Sequence, residues 1–281
     1  MVFFVPLRAV GIYLYASMKN AKQLHLYPVP DERVVAFSTT RHGGCGSGTY
    51  GTFNCTPYTG DELSVVLSNQ EKLCKLIGIT AEQLIVPYQT HSCHVLSIDE
   101  TFMLLSGDAR HAMLQEKDAI VTDVAGVCLC VSTADCVPVL LYDSVREVVA
   151  AVHAGWRGTV GKIVAHTLQV MREKYGTQTA DVHAIIGPCI SLEAFEVGIE
   201  VYEALEQAGF AMEQIAHWYP EKEKYHIDLP AANRLQLLAE GVPLAQIHDS
   251  AICTYTQHQD FFSARRLGIR SGRILNGIVK K

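Results

Sequence analysis

Short apolar runs, broken by polar or turn-forming residues, dominate the middle of the chain. Gly126–Ser132 (GVCLCVS), Val137–Tyr142 (VPVLLY) and Val148–His153 (VVAAVH) are the clearest. Unbroken apolar strands of this kind imply burial on both faces. Val34–Ser38 and His183–Ile186 read as further strands, the first running into a Gly-rich turn and the second into Gly187-Pro188-Cys189. Other segments follow a helical period. Leu63, Val66, Leu67, Leu73 and Ile77 share one helix face, with Thr59-Gly60-Asp61-Glu62 ahead of them in the form of a capping box and Gly78 as the stop. A second helix is predicted over Val160–Tyr175, burying Ile163, Val164, Thr167, Leu168 and Met171. Ile199–Gln207 reads as a third, and a fourth follows Asp228 as its cap and ends at Gly241. Strands and helices mix throughout, without a repeat, a low-complexity tract or a linker. The pattern predicts an α/β fold in which helices cover the sheets.

Composition narrows the class. The chain has 281 residues, 49% of them hydrophobic, and a net charge of −6. That is enough apolar material for a substantial core, and it excludes disorder as the dominant state. The acidic balance argues against a nucleic-acid partner. Met1–Ser17 is apolar but interrupted by Pro6 and Arg8, too short to span a membrane. It reads as an extension ahead of a start at Met18, with a signal peptide as the weaker alternative, and the expectation is one domain over residues 18–281, no membrane partner and a cytoplasmic location. The sequence leaves the oligomeric state open. Nine cysteines, an odd number with no Cys-x-x-Cys pair, point to a reducing compartment and mostly free thiols.

Three turns carry metal-competent groups to strand edges. They are Gln89-Thr90-His91-Ser92, Thr133-Ala134-Asp135-Cys136 and His153-Ala154-Gly155-Trp156-Arg157-Gly158. Two imidazoles and one thiolate suit Zn²⁺, and three protein ligands leave a fourth position for water or substrate. Cys-His nucleophilic catalysis uses the same residue types and fits them nearly as well. Spacing does not separate the two, because His91, Cys136 and His153 must meet through folding.

The turns belong to a longer series of motifs: TTRHGG (39–44), Asn54 with Gly60-Asp61, QTH (89–91), DAIVT (118–122), TADCVPVLLYD (133–143), AAVHAGWRGTVGKI (150–163), IGPCI (186–190), FEVG (195–198) and FFSARR (261–266). In this order they resemble the laccase-domain family, known variously as polyphenol oxidase, purine nucleoside phosphorylase and peptidoglycan editing factor. Ser92 stands where that family more often has glycine. The resemblance implies a layered α/β/β/α fold and zinc ligation by His91, Cys136 and His153. It also implies phosphorolysis of adenosine, inosine, guanosine or methylthioadenosine, and deamination of adenosine, with a nucleoside and phosphate as the partners. A hydrolase editing cell-wall precursors, a copper polyphenol oxidase and a zinc-stabilised interaction module are the alternatives. Copper is the lesser expectation, since none of the twelve histidines forms the His-x-His pair of clustered copper sites.

Other residues are expected to support this chemistry. Arg41, in the Gly-rich turn, is a candidate to hold a phosphate. Asp118 and Asp135 are candidates to move a proton or orient a ligand imidazole, Asp135 alternatively a turn cap. His42, Asn54, Gln89, Arg157 and Arg265 are candidates for substrate contact. Arg265, Arg266, Arg270, Arg273, Lys280 and Lys281 make the C-terminal stretch locally basic against Asp260. That stretch is a candidate to hold a substrate phosphate, with the two final lysines read as a solvated tail. Cys189, at a sharp exit from a strand, is more readily a packed residue than a reactive one, and Cys128 and Cys130 read as core.

Overall fold

The computed structural model describes Met18 and residues 21–281, so Met1–Ser17 lies outside it. Two sheets stack face to face. The first has the order β1 (Leu24–Leu26), β2 (Val34–Thr39), β14 (Ile274–Lys280), β6 (Cys128–Thr133), β3 (Leu84–Ile85). The second has the order β13 (Ile247–Asp249), β9 (Val182–Ile186), β7 (Val137–Asp143), β8 (Val148–Ala154), β5 (Ala119–Thr122), β4 (Val95–Ile98). Both mix parallel and antiparallel pairs. Alternation along each strand sorts the side chains into layers. Leu140, Tyr142, Val149 and Ala151 meet Val34, Ala36, Leu129 and Val131 between the sheets. On the outer face of the second sheet, Val139, Leu141, Ala150 and Val152 pack beneath helices.

Those helices are α5 (Ile163–Tyr175) and α8 (Leu229–Ala239). The first sheet is covered on its outer side by α1 (Leu63–Ile77), whose Leu73 and Ile77 meet Phe37, Cys128 and Cys130. The result is the α/β/β/α layering that the resemblance implied. Two short helices, α2 (Glu100–Met103) and α3 (Gly107–Met113), carry the chain from β4 to β5. A small sheet of β10 (Glu196–Val197), β12 (Lys224–Ile227) and β11 (Ala216–Tyr219) lies beside α6 (Ile199–Gln207) and α7 (Met212–Ile215). Among the described residues, no helix is long and apolar enough to cross a membrane.

Three expectations need correction. Thr59 does not cap α1. Its hydroxyl instead binds Thr56 O and receives Asn54 Nδ2, leaving Glu62 as the N-cap, its carboxylate accepting from the Ser64 hydroxyl rather than from a backbone N–H of the first turn. Leu63 and Leu67, expected on the buried face, are exposed, and Asn69 and Cys74 are buried instead. The helix expected over Val160–Tyr175 is two: α4 (Trp156–Val160) ends at Gly161, and α5 begins after Lys162, whose φ is +60°. The break accommodates a tight contact, since a Cβ on Gly161 would lie 2.2 Å from Cys93 Sγ. Elsewhere the pattern holds, with Gly78 (φ +72°) closing α1 and Asp228 accepting from Ala231 N at the start of α8.

Candidate metal centre

Strand register assembles the site. Pro138 pairs with His153, and Ala119 with Val152, which brings Asp118 beside His153 across the ladder. Continuing the same register past the strand ends sets Cys136 beside Gly155. The turn Thr133–Cys136 carries the chain from β6 in one sheet to β7 in the other, so Cys136 emerges where the two sheets meet. His91 comes from the loop before β4, folded back with φ +62°.

The ligand atoms of His91, Cys136 and His153 all lie within 4.8 Å of one another. Cys136 Sγ is 3.8 Å from His91 Nε2, and the two imidazole rings stand edge to face at 4.8 Å. Gly155 makes this convergence feasible: a Cβ there would sit 2.9 Å from His91 Cδ2 and 3.1 Å from Cys136 Sγ. The donor set fits a metal ion, two imidazoles and a thiolate being a normal tetrahedral complement less one ligand. Among the described residues, this is the one such group. His94 stays outside the group and bonds Glu116 O.

Asp118 organises the ligands. It is fully buried and accepts from Thr90 N, His91 N, Ser92 N and the Ser92 hydroxyl. Its Oδ1 also accepts from His153 Nδ1 at 2.7 Å, which leaves His153 Nε2 free to ligate. Burial opposes its charge, but the bonds from His153 and Ser92 outweigh burial and hold it down at about 2. Burial likewise pushes the Cys136 thiol up. The neighbouring His153 and His91 overcome that and bring it down to about 6. The ligand needed as a thiolate is therefore poised to be one.

The other candidates fall into two groups. Asp135 (φ +89°) has both carboxylate oxygens engaged, by the Thr254 hydroxyl and by Arg265 N, each at 2.7 Å. It braces the turn beside Cys136. Gln89 binds Ser132 through both ends of its amide, and buried Asn54 ties Thr59 and Asp61 to Arg273 N. Both hold loops in place. Arg157 is exposed over the Trp156 ring, and Arg265 sends its guanidinium to Glu196 O. His42 pairs with Asp260 at 2.7 Å on the surface. Arg41 donates to Gly51 O and His258 O and rests 5.0 Å from the centre of the Phe262 ring. Cys189 is buried, and burial pushes its thiol well up, as expected of a packed residue. Sequence reading did not single out Gly155 or Thr254 for the site. The HAGWRG motif contained the one, but only the register shows what its missing side chain makes room for.

A layered α/β protein with a candidate three-ligand metal group at the junction of its sheets is the class this geometry defines. A sequence model of the multi-copper polyphenol oxidoreductase laccase family matches residues 35–281, and the chain belongs to that family. It is 53% identical over 243 residues to a purine nucleoside phosphorylase of Bacteroides thetaiotaomicron, covering 86% of this chain and 90% of that one. It is 45% identical over 250 residues to adenosine deaminase RL5 of an unknown prokaryotic organism, covering 89% and 95%. The crystal structure of Bacillus licheniformis hypothetical protein YfiH superposes with a TM-score of 0.87 at 28% identity, over 93% of this chain and 98% of that chain.

Proposed function

We propose that the protein is a zinc-dependent purine nucleoside phosphorylase that also deaminates adenosine. Adenosine, inosine, guanosine and methylthioadenosine are its substrates, and the chain works in the cytoplasm as one domain over residues 18–281. The observation that carries this is the convergence of His91, Cys136 and His153, in a chain whose relatives are named for these two reactions. The thiolate and the two imidazoles favour zinc over copper. When bound, the metal supplies Lewis-acid chemistry for activating water or polarising a phosphate oxygen. Asp118 fixes the tautomer and direction of His153, and Arg41 is the candidate anion contact.

Purified zinc-loaded protein is expected to convert inosine to hypoxanthine only when phosphate is present, and Cys136→Ala to lose this. Hypoxanthine release without phosphate, or undiminished turnover by the variant, would overturn the assignment.

A further inference from the structure

Two guanidinium groups lie on loops packed against the turn that carries Cys136. Arg41 and Arg273 are both half-buried, and among the described residues neither joins an ion pair. Their visible partners are carbonyl and hydroxyl oxygens. Arg41 uses Gly51 O and His258 O; Arg273 uses Ser271, Gly272 O and Ile269 O. Such oxygens orient a guanidinium but carry only partial charge, and a charge withdrawn from water ordinarily has an opposite charge beside it.

The two groups are held by one scaffold. The Gly-rich segment that begins at Arg41 returns through Asn54, whose Oδ1 accepts from Arg273 N. Arg41 lies on the Phe262 ring, and Gly272 is pressed against the same ring, its would-be Cβ 2.4 Å from Phe262 Cζ. Arg273 also borders the turn that carries Cys136: the next residue, Ile274, pairs with Thr133 at the start of that turn. Its charge is felt by Cys136 and Asp135. Asp135, the carboxylate that Arg273 faces, already has both oxygens engaged, by the Thr254 hydroxyl and by Arg265 N.

We infer that Arg273, together with Arg41, forms the subsite that holds inorganic phosphate against the metal centre. This rests on the phosphorolytic reading above and assigns its co-substrate site. Arg41 closes the subsite from the Gly-rich turn and Arg273 from the loop before β14, so the anion lies between loops of the first sheet and ligands of the second. Planar guanidinium groups suit phosphate oxygens in pairs.

The test separates phosphate from nucleoside. In Arg273→Gln, the KM for phosphate should rise at least tenfold while the KM for inosine stays within twofold, and Arg273→Lys should fall between. The ratio of phosphorolysis to adenosine deamination should drop with it. Independently of turnover, millimolar phosphate should raise the Tm of the wild-type protein and leave that of Arg273→Gln unmoved. Equal rises in both KM values would make Arg273 a loop brace and overturn the inference, as would phosphate stabilisation that survives in the variant. If Arg273→Gln does not fold, Arg273→Lys decides by the same split. A wild-type protein that is stabilised by phosphate but makes no hypoxanthine would sink the phosphorolytic reading while leaving the anion subsite standing.

Discussion

Cys128 and Cys130 lie near one end of β6, and Cys136 lies just past the other, yet the two regions treat sulfur in opposite ways. The pair on β6 sits in an apolar layer under α1, fully buried, with Sγ atoms 3.7 Å apart. Burial there pushes the Cys130 thiol well above its ordinary value. At Cys136 burial pushes in the same direction, but two imidazoles reverse it. Cys136 is half-buried where Cys130 is fully buried, and it is the imidazoles beside it that lower its thiol.

The sharpest way to break this comparison is to exchange the sulfurs. Cys136→Ala should lose stoichiometric metal and at least a thousandfold in turnover, because no substitute ligand is at hand, whereas Cys130→Ala should keep both. Metal analysis and a phosphorolysis assay on the two variants read this directly, and metal retained at full stoichiometry in Cys136→Ala would remove the thiolate from the ligand set. Asp118→Asn comes next. It weakens the acceptor that orients His153, and metal affinity should fall on the order of 10–100-fold. Competition with a chromophoric chelator measures that loss.

In metal-free protein, iodoacetamide distinguishes the regions by pH. Thiolate is the reactive form, so Cys136 should alkylate with a midpoint near pH 6, its rate rising as pH increases through that value. Cys128 and Cys130 should stay unmodified until the protein unfolds, which peptide mapping resolves. The smallest effect is on stability. Cys130→Ala should cost about 1–2 kcal/mol in urea unfolding, as loss of a small packed group does. A cost near zero would mean that the layer beneath α1 relaxes around the gap.

Much of the architecture was legible because burial imposes periodicity. The apolar runs that became β6, β7 and β8 lie between two covered faces, and continuous hydrophobicity is what such a position demands. The stripe on α5 matched its buried face residue for residue. The failures have local causes. Thr59 was drawn into bonds with Asn54 and Thr56, so the capping pattern ahead of α1 went unused. The Gly161-Lys162 break is invisible to periodicity because it answers to Cys93, a contact across the fold.

By itself, the sequence determined the layered class of fold, the family, and which two histidines and one cysteine to watch, since motif and pattern are local properties. Only the tertiary structure decided how they act. The register of β5, β7 and β8 set Asp118 against His153 and brought Cys136 beside Gly155. It also gave Asp135, Asn54 and Gln89 the partners that tie their loops down, and set Arg273 next to the strand pair that leads into the Cys136 turn. These assignments depend on distances between residues far apart in the chain, and those distances exist only once the two sheets have packed.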